Sequence, residues 1–114
     1  AVLVQAEHIE AVENIESIVR VEGIDGIMLG PYDLSASLGK MGQLDDPAVV
    51  GAIERIFQAC QSTGMPIGYF GVSADAVRPY LQKGYNLILA GVDTLHLGNA
   101  AQNLMNELKP SPND

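Results

Sequence analysis

The sequence has little cysteine, little positive charge and no long apolar run, and each shortage excludes a class of protein. Its 114 residues include one cysteine, Cys60, so no disulfide framework can form within the chain and a reducing cytoplasm is the expected location. Fourteen acidic residues against six basic ones give a net charge of −8, which argues against nucleic acid or an anionic membrane as partner. No apolar run approaches the roughly 20 residues of a membrane span, and no signal-peptide pattern opens the chain.

Lysine is scarce, and standard nucleotide-binding and nucleophile motifs are absent. Lys83 and Lys109 fall near predicted helix ends, which leaves Lys40 as the one candidate for the desolvated lysine that Schiff-base catalysis needs. The sequence contains no P-loop, no Gly-x-Gly-x-x-Gly and no Gly-x-Ser-x-Gly pattern. The histidines, His8 and His96, have no carboxylate or cysteine at a recognisable metal or triad spacing.

Four short aliphatic runs, each followed by an amphipathic stretch, dominate what is present. Nearly continuous apolar runs are typical of strands covered on both faces. The intervening periodicity and capping residues predict helices over 9–21, 47–63, 73–83 and from Asp93 to the residue before Pro110. Strand and helix in alternation predict an α/β fold with a parallel sheet and right-handed crossovers. The strands are predicted at 2–6, 24–29, 67–72 and 87–90.

Four βα units are half of a (β/α)8 barrel, which needs about 250 residues. The chain is therefore either an open four-stranded sheet or a half-barrel covering residues 1–109, followed by a polar tail at 110–114. A half-barrel leaves two strand edges and one apolar face uncovered, so such a chain should associate with another.

Two carboxylates follow the first two predicted strands. Glu7 closes the first strand, and Asp33 lies just past the second, at the start of a 17-residue loop over 30–46. The carboxyl ends of parallel strands share one edge of the sheet. Two hard oxygen donors there suggest a Mg²⁺ or Mn²⁺ site. Glu7 could instead be a first-turn acid of the next helix, and Asp33 part of a simple β-turn.

The turn Gly30-Pro31-Tyr32-Asp33 offers a second function. A Gly-Pro turn at a strand end lets backbone approach a ligand, and the N–H groups of Tyr32 and Asp33 could then bind a carboxylate or phosphate. Pro31 has no N–H and contributes no donor.

Several segments together resemble the HpcH/HpaI aldolases, class II metal-dependent pyruvate aldolases that act on 2-keto-3-deoxy acids. The resemblance extends over nearly the whole chain. It is carried by Gln5-Ala6-Glu7, Ala11-Val12-Glu13-Asn14-Ile15, Val21-Glu22-Gly23-Ile24-Asp25-Gly26, Gly30-Pro31-Tyr32-Asp33-Leu34-Ser35, Asp46-Pro47 and Gly91-Val92-Asp93-Thr94.

The resemblance implies strands five to eight of a (β/α)8 barrel and a retro-aldol cleavage of a 2-keto-3-deoxy or 4-hydroxy-2-oxo acid to pyruvate and an aldehyde. It implies a divalent metal (Mg²⁺, Mn²⁺ or Co²⁺) that binds the keto acid and acts as a Lewis acid while the C3–C4 bond breaks. The residues that match the family's site are Glu7 and Asp33 as metal ligands, Gln5 as a site-lining residue, Gly30, Pro31, Tyr32 and Asp33 around the substrate carboxylate, and Phe70 where the family often has an aliphatic residue.

Two family residues have no counterpart here. The histidine base and the arginine that stabilises the enolate come from the first half of the family's barrel, so the chain alone is expected to be inactive. Its expected partners are the keto-acid and aldehyde substrates and either a second copy or the missing half-barrel. Two alternatives stay open: a related acyl-CoA lyase of the malyl- or citryl-CoA type, and a non-catalytic association module with vestigial acids.

Overall fold

Four parallel strands alternate with helices, which confirms the predicted α/β class. A computed structural model describes residues 1–109, and the predicted polar tail at 110–114 lies outside the described residues. The strands form one sheet in the order β1-β2-β3-β4. The elements are β1 (Leu3–Ala6), α1 (Ile9–Glu13), α2 (Ile15–Ile18), β2 (Gly26–Leu29), α3 (Pro31–Ser37), α4 (Pro47–Thr63), β3 (Ile67–Gly71), α5 (Ala74–Lys83), β4 (Leu87–Ala90) and α6 (Asp93–Leu108).

Capping residues set the limits of α4 and α5 where the sequence predicts them. The Asp46 carboxylate accepts a hydrogen bond from the Ala48 N–H at 2.9 Å, and α4 ends at Gly64 with φ +71°. The Ser73 hydroxyl accepts from the Ala76 N–H, and α5 ends at Gly84 in the left-handed region. These four positions are the side-chain caps and glycine stops that the sequence displays.

The single helix predicted over 9–21 is wrong, because it breaks at Asn14. The Asn14 side chain donates to the Glu10 carbonyl at 2.8 Å, a local bond of the kind that competes with continued helix. Arg55 on α4 holds both pieces in place by donating to the Glu16 carboxylate at 3.0 Å and to the Glu13 carbonyl at 3.1 Å. The Arg55 hydrogen bond lowers the pKa of the Glu16 carboxyl.

The loop predicted over 30–46 begins with the seven-residue helix α3. Pro31 occupies its first position, which is the place in a helix that proline favours because no N–H is needed there. Within the predicted loop, only residues 38–46 form a connection without a helix or strand.

The two faces of the sheet differ in what covers them. Helices cover the face that carries the side chains of Ile27, Leu29, Ile67 and Tyr69, and these residues form the core with the inner side of α4. The opposite face, here called the open face, has no covering layer among the described residues. By strand alternation and register it carries Leu3, Gln5, Met28, Phe70, Leu87 and Leu89.

Stacked aromatic rings seal the core between α4, β3 and α5. Tyr69 stacks on Tyr80 with ring centroids 3.5 Å apart, and Tyr85 stacks on Phe57 at 5.1 Å. The Tyr85 hydroxyl is buried and has no hydrogen-bond partner within residues 1–109. Burial also raises the pKa of this hydroxyl above its ordinary value, so it stays protonated.

The helix α6 departs from the pattern of the other helices because none of its residues is buried. It projects from the end of β4 and extends the molecule to 64 × 31 × 22 Å. The radius of gyration is 17.7 Å, against about 13 Å for a compact chain of 100 residues. None of the helices within residues 1–109 is long and apolar enough to cross a membrane.

The buried hydroxyl of Tyr85, which has no partner among residues 1–109, leads to a prediction about stability. We expect Tyr85→Phe to leave the free energy of unfolding unchanged or to raise it by about 1 kcal/mol, because a buried polar group without a partner is removed. Tyr85→Ala removes the stacked ring as well and should cost about 3–5 kcal/mol. Urea denaturation measures both. A loss on Tyr85→Phe close to that of the alanine variant would contradict the structure.

Candidate functional site

Glu7 extends the open face of β1 beyond the last paired residue of the strand. It follows Leu3 and Gln5 in alternation, so the three side chains point to the same side of the sheet. The Gln5 side-chain amide donates a hydrogen bond to Glu7 Oε2 at 2.9 Å. The predicted site-lining glutamine therefore orients one oxygen of the predicted metal ligand.

Gly30 provides the space that the Glu7 side chain occupies. Ala6 pairs with Leu29, so the next residues along the two strands, Glu7 and Gly30, lie side by side. The Gly30 N–H donates to the Ala6 carbonyl at 3.3 Å. A Cβ at Gly30 would lie 2.7 Å from Glu7 Oε2 and 3.0 Å from Glu7 Cβ. The sequence suggests that Gly30 admits a ligand to the backbone, whereas in the structure its surface is covered by the Glu7 carboxylate.

Asp33 is the third residue of α3 and is exposed to solvent. The helix that carries it is tied to the segment after Glu7, because the Ser37 hydroxyl accepts from the Ile9 N–H at 3.1 Å. The N–H groups of Tyr32 and Asp33 lie in the first turn of α3, where a helix leaves donors without internal partners. One hydrogen bond thus couples the two elements that position the two acids.

Ser35 fixes the beginning of the connection after α3, a role that the sequence does not reveal. It is fully buried, donates to the Tyr32 carbonyl at 2.6 Å and accepts from the Gly42 N–H at 3.0 Å. Lys40 pairs with Asp46 at 3.2 Å within the same connection. The Ala48 N–H and the Lys40 ammonium hold the pKa of the Asp46 carboxyl below its usual range. Lys40 is therefore engaged in structure and solvated, not desolvated for Schiff-base chemistry.

Phe70 and Tyr32 form the aromatic side of the same edge. Phe70 lies on the open face of β3, and its ring meets the Tyr32 ring edge-on with centroids 6.2 Å apart at 65°. Pro31, the residue between Gly30 and Tyr32, is buried. The structure thus brings Gly30 against Glu7 and Tyr32 against Phe70 at one end of the sheet, with Pro31 and Asp33 next to them in the chain.

The donor set at this edge is acidic and small. Neither Glu7 nor Asp33 forms an ion pair within the described part of the chain. No group of three or more His, Cys, Asp or Glu side chains gathers among residues 1–109. Two carboxylates fit Mg²⁺ or Mn²⁺, which commonly take one or two carboxylates from protein and complete the octahedron with water and substrate oxygens. They do not fit zinc, which prefers three or four nitrogen and sulfur ligands.

The two histidines have structural contacts of their own. His8 caps α1, where its Nδ1 accepts from the Glu10 N–H at 3.3 Å. The His96 ring packs on Gly91, because a Cβ there would lie 2.5 Å from His96 Nε2. This second contact was not evident from the sequence, although a glycine directly after a strand is a signal for close approach.

The known proteins similar to this chain are aldolases and their relatives. The family described as HpcH/HpaI aldolase/citrate lyase matches residues 1–100. A hydroxypyruvate/pyruvate aldolase from Cupriavidus necator is 38% identical over 98% of the chain. A 5-keto-4-deoxy-D-glucarate aldolase from Klebsiella pneumoniae is 39% identical over 96%. The chain spans only 42–43% of the length of these two relatives.

A solved structure has nearly the same shape. The crystal structure of an HpcH/HpaI aldolase/citrate lyase family protein from Burkholderia cenocepacia matches 96% of this chain with a TM-score of 0.92 and 34% identity. The chain covers 43% of that protein. Four parallel βα units that make up less than half of such relatives are consistent with half of a (β/α)8 barrel.

The contact between Glu7 and Gly30 leads to a prediction about how the Glu7 side chain is held. Gly30→Ala should displace the Glu7 side chain and break its hydrogen bond with Gln5, because the new methyl group occupies the position of the carboxylate. The side-chain amide resonances of Gln5 in an NMR spectrum report this loss. A spectrum in which they do not move would show that Glu7 is not held as described.

Gly51→Ala is the matched control. Gly51 lies in the middle of α4 with open space around its Cα, so no side chain has to move. This variant should raise the free energy of unfolding by about 0.5–1 kcal/mol, the helix preference of alanine over glycine. It should leave the Gln5 amide resonances where they are.

Proposed function

The chain belongs to the HpcH/HpaI aldolase/citrate lyase family, and from this membership we propose that it is the C-terminal half of a metal-dependent pyruvate aldolase. The reaction proposed is the reversible cleavage of a 2-keto-3-deoxy or 4-hydroxy-2-oxo acid to pyruvate and an aldehyde. The single observation that supports the proposal is that Glu7 follows β1 and Asp33 comes just after the neighbouring β2, in a chain 38–39% identical to aldolases over nearly all its length.

Glu7 and Asp33 are the residues that would hold the metal, proposed as Mg²⁺, Mn²⁺ or Co²⁺. Both are free of ion pairs among the described residues, so their charge is available to a cation. Gln5 supports Glu7 from outside the ligand set, the kind of hydrogen bond that orients ligating carboxylates. When bound, the metal supplies a Lewis acid for a carbonyl oxygen of the substrate.

The first turn of α3 and the ring of Phe70 are proposed to orient the substrate. The N–H groups of Tyr32 and Asp33 point out of a helix N-terminus, which favours the carboxylate of a keto acid. Phe70 stands on the open face against Tyr32 and borders the space for the aldehyde portion. A large flat ring at this position narrows that space in comparison with an aliphatic residue.

The acid–base part of the reaction is proposed to come from outside this chain. His8 and His96 are engaged at a helix cap and on Gly91, and Arg55 binds Glu16 on the far side of the core. None of them faces Glu7 from the open side of the sheet. The partner that completes the site is proposed to be the other half of the barrel, which would also cover the open face.

The location proposed is the cytoplasm, because a chain with one cysteine has no internal disulfide and suits a reducing compartment.

Cys60, the only cysteine of the chain, is fully buried in α4. Burial raises the pKa of its thiol to about 11, so it acts as an apolar core residue and not as a nucleophile or thiolate ligand.

An acyl-CoA lyase is the second candidate, because the family description includes citrate lyase. Lyases of the malyl- or citryl-CoA type resemble the aldolases in using a pair of acids. The identity of the chain to relatives that are named aldolases favours the aldolase.

Metal binding tests the role of the two acids. We expect Mn²⁺, followed by its electron paramagnetic resonance signal, to bind the purified chain, and Glu7→Gln or Asp33→Asn to weaken binding on the order of tenfold or more, because each removes a charged ligand. Asp45→Asn is the matched control, since Asp45 is an exposed acid of the same connection. Equal affinity in all four proteins would refute the site.

A second measurement tests the incomplete site. The purified chain with Mn²⁺ should release no pyruvate from a 4-hydroxy-2-oxo acid beyond the amount released with Glu7→Gln, because a base and a cation for the enolate are missing. Pyruvate is measured by its reduction with NADH and lactate dehydrogenase. Turnover that disappears in Glu7→Gln would show instead that this chain carries a complete site.

A further inference from the structure

The helix α3 is held in the core by an apolar side chain and oriented by two hydroxyl groups. Leu34 is fully buried among the core residues, but burial of apolar area is non-directional and does not fix how a short helix is turned. Ser35 and Ser37 donate to carbonyls three residues earlier at 2.6 and 2.8 Å. Each also accepts an N–H from another segment. These directional bonds therefore set the orientation of α3.

The bond made by Ser37 is the one that reaches the segment after Glu7. Its hydroxyl oxygen accepts from the Ile9 N–H at 3.1 Å, across 28 residues of sequence. The Ser35 hydroxyl instead accepts from Gly42, within the connection that follows α3. Ser37 thus ties α3 to the backbone that leaves β1, two residues beyond Glu7.

The Ile9 N–H is a donor that α1 cannot satisfy by itself, because the first N–H groups of an α-helix have no acceptor within the helix. The next N–H group, at Glu10, donates to the His8 side chain, whereas the one at Ile9 donates to Ser37. Ser37 is half-buried, which limits the access of water to this bond. Removal of the Ser37 hydroxyl would therefore loosen the attachment of α3 to the beginning of α1.

Asp33 lies on the same side of α3 as Ser37. The two residues are four positions apart within the helix, and residues with that spacing share one helix face. The side of α3 that carries Asp33 is therefore the side that is fastened to the segment after Glu7.

The two acids differ in how their side chains are supported. Glu7 accepts a hydrogen bond from the Gln5 side chain, which orients one of its oxygens. Asp33 is exposed and forms no ion pair within residues 1–109. The position of the Asp33 carboxylate consequently depends on the placement of the α3 backbone.

We propose that Ser37 is a positioning residue for the two acids, an inference that rests on the proposed metal site. Its hydroxyl holds the backbone that carries Asp33 against the backbone that carries Glu7, so that both carboxylates can serve one cation. Ser37 does not touch the cation in this arrangement and acts only through α3 and Ile9. Groups outside the ligand set commonly determine metal affinity in this indirect way.

The Mn²⁺ affinity of the purified chain tests the role of Ser37. We expect Ser37→Ala to raise the dissociation constant, followed by electron paramagnetic resonance, by about three- to tenfold, at or below the roughly 10–100-fold that loss of a group supporting metal ligands costs. Far-ultraviolet circular dichroism should not change, because the buried Leu34 remains in place.

Ser62→Ala is the matched control, and Ser37→Thr tests for rescue. The Ser62 hydroxyl donates to the Ala59 carbonyl at 2.8 Å, as Ser37 does to Leu34, but it joins no second element among the described residues. Ser62→Ala should therefore leave the Mn²⁺ affinity unchanged. Threonine in a helix can direct its hydroxyl to the same kind of carbonyl, so Ser37→Thr should restore the affinity.

The backbone amide of Ile9 reports the bond without any metal. In NMR spectra we expect this amide to exchange with deuterium faster in Ser37→Ala than in the unaltered chain, because its acceptor is gone. The exchange rate should not change in Ser62→Ala. An Ile9 amide that exchanges equally in all three proteins would overturn the inference.

The metal titration separates this inference from the proposed site itself. An unaltered chain that binds no Mn²⁺ would overturn the metal site and the role of Ser37 together. Equal affinity of the unaltered chain and Ser37→Ala would overturn the role of Ser37 alone. A loss of the same size in Ser62→Ala, or no recovery in Ser37→Thr, would do the same and leave the metal site standing.

Discussion

The structure depends on one constraint: a parallel sheet that is apolar on both faces needs a covering layer on each, and residues 1–109 supply only one. Ile27, Leu29 and Ile67 are sealed beneath α4, while Leu3 and Leu89 on the open face remain half exposed. Burial of apolar area is the main stabilising term in folding. Covering the open face with another molecule would therefore bury further apolar area and favour association.

The pairing of β1 with β2 links this architecture to chemistry. The register that sets Ala6 against Leu29 puts Glu7 beside Gly30 one step further along. A shift of β1 by one residue would turn both Gln5 and Glu7 to the helix-covered side, away from Gly30. The position of Glu7 beside Gly30 is thus a consequence of strand register, and the bond between Ser37 and Ile9 ties α3 to the segment after Glu7.

The sequence predicts the features that rest on local chemistry and misses those that rest on tertiary contact. Asp46, Gly64 and Gly84 mark helix limits because caps and left-handed stops act within one turn. The break at Asn14 and the helix at Pro31 depend on balances of a few hydrogen bonds that periodicity does not reveal. For the proposed site, the sequence places Glu7 and Asp33 after neighbouring strands, as the structure has them, and the metal that the resemblance implies stays a prediction. The contact between Glu7 and Gly30 could not be predicted, because it joins residues on two strands that are distant in the sequence.

The distribution of charge supports the proposal that a second half-barrel completes the site. The proposed site offers two carboxylates, backbone N–H groups and an aromatic ring, which are groups suited to a cation and an anionic substrate. A carbon–carbon cleavage also needs a group that accepts a proton and a cation that stabilises the developing enolate. Arg55, the arginine with the most contacts to other elements, is committed to Glu16 and Glu13 across the core. Arg55 thus serves to hold helices together. In the proposed reaction, the base and the cation for the enolate would face Glu7 from the open face of the sheet.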